Sequence, residues 1–77
     1  MIDIKATGKR IRELAREKGI SAKQIQKEMG FTTTTPIYKW YNGQSIPSID
    51  NLLILAELLD VKIEDILIKT EEGERKE

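Results

Sequence analysis

The chain has 77 residues, of which 39% are hydrophobic and 34% are charged, and it contains no cysteine and no histidine. A chain of this length forms one domain, and its composition is too apolar for general disorder. Without cysteine the chain has no disulfide, no thiol nucleophile and no zinc–thiolate site, and without histidine it lacks the commonest general base. We therefore expect no enzyme activity, no metal and no cofactor. No apolar run is long enough for a membrane span or a signal peptide, which predicts a cytoplasmic protein.

The net charge of zero hides an uneven distribution along the chain. Residues 1–43 carry nine basic and four acidic side chains, whereas residues 44–77 carry four basic and nine acidic ones. A basic half is suited to a polyanion such as a nucleic acid. Charges also segregate on ordinary solvated surfaces, so charge alone leaves the partner open.

The first two predicted helices are short. Apolar residues at helical spacing predict a helix over 5–18, and Gly19 ends it because glycine readily adopts the left-handed cap conformation. Ser21 is suited to cap a second helix over 22–29. Gln26 shares the inward face of this second helix, so we expect its amide to bond to threonine hydroxyls or to the backbone of the following turn.

The third predicted helix follows a run of four threonines. Thr35 is the expected N-cap because the residue before a proline avoids the helical region, so the helix is predicted over 36–42. Its inward face is formed by apolar and aromatic residues at helical spacing, namely Ile37, Trp40 and Tyr41. Tyr38 and Lys39 point to the opposite side.

The last two predicted helices carry most of the apolar residues. The fourth, over 49–59, is apolar nearly all round, which predicts burial on more than one side. A short fifth helix is predicted over 62–68, and the charged residues 69–77 are predicted to form a disordered tail. Three apolar residues exceed what a small core needs, namely Ile54, Leu58 and Ile68. They predict a dimer interface, or else they pack under the last helix or against Ile2 and Ile4.

A short helix, a tight turn and a second short helix inside a small bundle form a helix-turn-helix arrangement. The characteristic stretches are GKRIREL (8–14), GIS (19–21), MGF (29–31), IYKW (37–40), NG (42–43), IPS (46–48), NLLILA (51–56) and LDV (59–61). Their order and spacing resemble the phage Cro and repressor type of helix-turn-helix proteins, also called the xenobiotic-response-element type. The resemblance covers about residues 4–68 and implies an all-α, compact five-helix bundle of the lambda-repressor-like fold.

The resemblance also implies which residues touch DNA. In such proteins the second helix lies across the DNA backbone, and the recognition helix, here about 34–42, enters the major groove. Base contacts are implied for Thr34, Thr35 and Lys39, and phosphate contacts for Ser21, Thr33 and Asn42. Surface position adds Tyr38 as a base contact, and Lys9, Arg10 and Lys23 as phosphate contacts.

Each of these residues also has an ordinary structural interpretation. Thr34 and Thr35 can bond to a base edge, contact a thymine methyl or only cap the helix. Tyr38 can be a surface tyrosine without a partner, and the basic residues can be solvated side chains.

The chain departs from the commonest family pattern at several places, and two of these departures concern the third helix. The interval from Gly30 to Gly43 is one residue longer, with the extra residue in the threonine run. Ala15 and Tyr41 stand where many members pair an arginine with a glutamate, which predicts that packing replaces the ion pair.

The sequence therefore predicts a sequence-specific regulator of transcription, of the repressor type, that binds double-stranded DNA as a homodimer. The chain is too small to spare a pocket for a small-molecule ligand, and no membrane partner is expected. The alternative is an antitoxin-like interaction module that also binds its own operator. The short tail TEEGERKE (70–77) has no apolar anchor for a protein partner, which counts against this alternative.

Overall fold

The computed structural model describes residues 1–70, which form five helices packed around one core. The helices are α1 (Ile4–Lys18), α2 (Ala22–Met29), α3 (Thr35–Tyr41), α4 (Ile49–Leu59) and α5 (Ile63–Ile66). The prediction of an all-α, five-helix bundle is confirmed.

Local capping residues determine the bounds of α2 and α4. The hydroxyl of Ser21 accepts a hydrogen bond from the backbone N–H of Gln24, and the Gln24 side chain accepts one from the backbone N–H of Ser21. This reciprocal capping satisfies two backbone donors that a helix start leaves free. Ser48 caps α4 with a single hydrogen bond, which its hydroxyl accepts from the N–H of Asn51 at 3.2 Å. The predicted ranges of both helices are confirmed.

The predicted N-cap of α3 is wrong by one residue. Thr34 is the N-cap, because its carbonyl accepts hydrogen bonds from the N–H groups of Ile37 and Tyr38. Thr35 is the first helical residue, and its own N–H donates to the hydroxyl of Thr33. Pro36 then sits in the first turn, where its missing N–H costs no helical hydrogen bond.

The end of the chain departs further from the prediction. Helix α5 stops at Ile66, and the following residues are extended rather than helical. The N–H of Asp3 donates to the carbonyl of Ile68 at 2.7 Å, and Ile2 pairs with Lys69 in an antiparallel bridge. This pairing of the two ends draws Lys69 out of the predicted tail. The N–H of Thr70, also in that predicted tail, donates to the carbonyl of Met1 at 2.9 Å, and residues 71–77 lie outside the described residues.

The core joins all five helices. Its members are apolar and almost fully buried, namely Ile11, Leu14, Ala15, Ile25, Ile37, Trp40, Leu52, Leu55, Ala56, Leu59 and Ile66. The predicted inward placement of Ile37 and Trp40 is confirmed. Tyr41 is half-buried and packs against the core, so the prediction holds for it in part.

Helices α1 and α3 approach each other closely at Gly8. A Cβ at this position would lie 1.8 Å from the carbonyl oxygen of Trp40, which leaves space only for hydrogen. Next to it, the buried hydroxyl of Thr7 accepts from the N–H of Ile68 at 3.0 Å. Helix α1 therefore holds α3 on one side and the end of the chain on the other.

Candidate nucleic-acid interface

The turn between α2 and α3 is fixed by contacts from both helices. The amide of Gln26 donates to the carbonyl of Phe31 at 3.2 Å, so the predicted bond to the turn backbone is confirmed. The Phe31 ring meets the Trp40 ring edge to face, with centroids 6.0 Å apart. The first contact joins α2 to the turn and the second joins the turn to α3. Together they fix the orientation of α3 relative to α2.

The outward face of α3 is made of exposed polar side chains. Thr35, Tyr38, Lys39 and Asn42 follow helical spacing and all are exposed, whereas Thr34 is half-buried. The predicted outward direction of Tyr38 and Lys39 is confirmed. This face, the recognition face (Thr35, Tyr38, Lys39 and Asn42), presents one positive charge, one aromatic ring and two short polar groups.

Two further exposed residues lie at the N-terminal ends of these helices. Lys23 lies in the first turn of α2, directly after the Ser21 cap. Thr33 is exposed in the turn and holds the start of α3 through its hydroxyl. Gln24 also lies in the first turn of α2, and sequence reasoning missed it, although its spacing from Ser21 is the signature of a capping box.

Tyr38 rests against a second tyrosine. Its ring meets that of Tyr41 edge to face at 5.6 Å, with an angle of 88° between the ring planes. Burial raises the pKa of the Tyr41 phenol, the neighbouring Tyr38 adds to the rise, and Arg12 opposes it. Tyr41 is therefore a neutral, partly buried support for the exposed Tyr38 ring, and Arg12 of α1 lies within electrostatic reach of the pair.

Helix α1 carries a row of basic residues beside α3. Its members are exposed and recur at spacings of three or four, namely Lys5, Lys9, Arg12 and Arg16. The Lys5 side chain lies against Gly43, just after α3, and Arg12 is near Tyr41. Sequence reasoning selected only Lys9 from this row, the α1 basic row, because the side of α1 that faces α3 depends on tertiary packing.

Arg10 lies on a different side of α1 from Lys9. Its Nε donates to the backbone carbonyl of Asp65 at 2.8 Å, so its side chain is directed at α5 rather than at α3. A role as a phosphate contact beside the recognition face was the sequence expectation for Arg10. This hydrogen bond links α1 to α5, and the phosphate contact of Arg10 stays a prediction.

The apolar residues predicted for a dimer interface are only half-buried. Leu58 packs against the core, Ile68 belongs to the paired chain ends, and Ile54 lies in the middle of α4. The most exposed apolar side chains of α4 are instead Ile49 at 70% and Leu53 at 51%. These two residues are one helical turn apart.

Residues 1–70 contain neither a candidate metal site nor a candidate membrane span. Among them, no three acidic, histidine or cysteine side chains lie close enough together to hold a metal ion. None of the helices in residues 1–70 combines the length and the apolar character that a membrane span requires.

Comparison with known proteins identifies a family and structurally similar proteins. A family model described as helix-turn-helix matches residues 9–66. The crystal structure of the restriction-modification controller protein C.AhdI from Aeromonas hydrophila is similar, with a TM-score of 0.73 and 30% sequence identity over 83% of this chain and 96% of that one. The crystal structure of the DNA-binding domain of BldD aligns with a TM-score of 0.70 and 16% identity over 86% and 94% of the two chains. Comparison with curated proteins found no significant match.

Proposed function

Since the chain belongs to the Cro and repressor type of helix-turn-helix family, whose members are DNA-binding regulators, we propose that it is a sequence-specific regulator of transcription that binds double-stranded DNA as a homodimer. In this proposal α3 enters the major groove and reads base edges. The similarity to a controller protein of a restriction-modification system supports a regulatory role.

The observation that carries the proposal is the position of the recognition face beside basic groups. On one side lies the α1 basic row, and the start of α2 adds Lys23. Residues 49–66, which include α4 and α5, carry only one basic residue, Lys62, against five acidic ones, namely Asp50, Glu57, Asp60, Glu64 and Asp65. An electrostatic arrangement of this kind attracts DNA to α3 and orients the domain with α4 and α5 away from the duplex.

Selection of bound sequences from random double-stranded DNA tests the proposed function. We expect a defined motif with two related half-sites about one helical turn apart, because each recognition helix of a dimer meets a successive major groove. Binding without sequence preference, or no binding to any duplex, would refute the proposal.

Lys39 is proposed to supply one base contact. It is exposed on the recognition face, and its ammonium group can donate to guanine N7 or O6. Lys39→Ala should leave the fold intact and weaken binding to the selected duplex by about 1–3 kcal/mol, with a smaller loss on a scrambled duplex. The measurement is a binding titration on both duplexes at the same salt concentration.

The matched control is Lys23→Ala, at the start of α2. A lysine that contacts phosphate carries no sequence information, so this variant should lose equal affinity for both duplexes. Equal losses for Lys39→Ala on the two duplexes would make Lys39 a backbone contact as well. Arg10 is not suited to this comparison because its side chain bonds to Asp65.

The proposed dimer uses the exposed side of α4. It includes Ile49 and Leu53, and in this proposal the nearby Ile46, which is 37% exposed, and the half-buried Ile54 extend the apolar surface. An apolar surface of this kind on a small domain marks an interface. Leu58 and Ile68 are not part of this surface, because one packs on the core and the other pairs with the N-terminal segment.

Leu53→Glu should convert the dimer into a monomer without unfolding it. The side chain is about half exposed in the monomer, so a charge there is solvated in the monomer but desolvated in the dimer. Analytical ultracentrifugation over a concentration series measures the effect, and Leu53→Met is the matched variant that should remain dimeric. A monomeric wild-type protein at high concentration would contradict the assignment.

A further inference from the structure

The recognition face has an unusual composition for a surface that contacts bases. Its largest side chain is Tyr38, which is 51% exposed, and only Lys39 carries a charge. Thr35 lies three residues before Tyr38, so its methyl group shares the same side of the helix. A surface that presents the Tyr38 ring and the Thr35 methyl group to the groove is suited to contact an apolar group on a base.

The Tyr38 ring has a packed aromatic neighbour in the protein without DNA. It stands edge to face against Tyr41 at 5.6 Å, and Tyr41 packs on the core. A tyrosine has only two side-chain torsions, so ordering its ring on binding costs little conformational entropy. The ring is therefore suited to an apolar contact.

The major groove offers such a ring one apolar partner. Base edges there present hydrogen-bond donors and acceptors, and the exception is the C5-methyl group of thymine. A ring on a helix in the groove cannot stack on a base that stays paired. On the basis of the proposed function, we infer that Tyr38 reads the C5-methyl group of a thymine in each half-site and so makes recognition depend on thymine rather than on an A·T pair alone.

Uracil in place of thymine tests this inference directly. Uracil keeps every hydrogen-bonding group of thymine and lacks only the methyl group, so a selected duplex that carries deoxyuridine at one thymine at a time isolates the methyl contact. We expect wild-type binding to weaken roughly three- to fivefold for each contacted methyl group, as measured by fluorescence anisotropy. Equal affinities at every thymine would overturn the inference.

Variants of the chain assign the effect to Tyr38. Tyr38→Ala should bind the thymine and uracil duplexes equally at one position per half-site, because the ring is gone. Tyr38→Phe should keep the preference for thymine, since the ring and not the hydroxyl makes the contact. Lys39→Ala should also keep it, although it binds more weakly overall. Circular dichroism checks that each variant is folded.

The possible failures are distinguishable. If Tyr38→Ala still prefers thymine, the methyl group is read elsewhere and the role of Tyr38 is overturned. If Tyr38→Phe loses the preference, the hydroxyl makes the contact and the inference is also overturned. If no duplex is selected at all, the proposed function fails and this inference fails with it, whereas a selected duplex that tolerates uracil refutes only the inference.

Discussion

Trp40→Ala should lower the free energy of unfolding by about 3–5 kcal/mol, which is the usual cost of removing a large aromatic side chain from a core. Trp40 is 4% exposed, and its ring contacts that of Phe31 in the turn before α3. The variant loses the buried indole, leaves a cavity and frees the turn. Because a domain of this size has about 4–12 kcal/mol of total stability, a large part of the population could unfold at 37 °C.

Urea unfolding followed by circular dichroism measures this loss, since the only tryptophan of the chain is the residue removed. Trp40→Phe is the matched variant, because it keeps a ring against Phe31 and should cost clearly less. A Trp40→Ala protein with wild-type stability and weak DNA binding would contradict the core assignment. The indole would then belong to the DNA interface.

Gly8→Ala should be almost as damaging, although alanine favours helices. At an exposed position of a helix this change would stabilise the protein by about 1 kcal/mol. Here the new methyl group would meet the carbonyl oxygen of Trp40, so α1 and α3 must separate. We expect a net loss of about 3 kcal/mol, at the upper end of the range for overpacked sites.

The same displacement should impair DNA binding in the folded fraction of Gly8→Ala. Helix α3 carries the recognition face and α1 carries the basic row, so moving one helix against the other misaligns the two surfaces. Binding titrations at low temperature, where the variant is folded, measure this effect. Glu13→Ala, on the exposed side of α1, is the control that adds helix propensity without the clash. A gain in stability for Gly8→Ala would show that the two helices are not tightly packed at this point.

Ala15 and Tyr41 occupy the positions where many family members have an ion pair, and in this chain apolar packing takes its place. Ala15 is 2% exposed and Tyr41 packs against the core that contains it, in the positions where many family members have an arginine and a glutamate. No charge is buried by this exchange, so no desolvation penalty arises. The Tyr41 ring instead contacts the Tyr38 ring, which links this departure from the family pattern to the recognition face.

The sequence by itself determined the features that depend on neighbouring residues. The bounds of α2 and α4 follow from Ser21 and Ser48, whose hydroxyl groups bond to the backbone three residues later. The inward direction of Ile37 and Trp40 follows from helical spacing alone. Local hydrogen bonds and a fixed periodicity act within a few residues, so they can be read without knowledge of the fold.

Tertiary structure alone decided the features in which distant segments compete for the same groups. Ile68 was expected in a helix, but its carbonyl and N–H bond to Asp3 and Thr7, more than 60 positions away, and these bonds draw the segment into an extended form. Arg10 turns to α5 for the same reason, because the carbonyl of Asp65 lies within its reach only in the folded chain. The exposure of Leu53 was likewise decided by how α4 rotates against the core. Helical spacing says which residues share a face, but the packing of the other helices decides which face is covered.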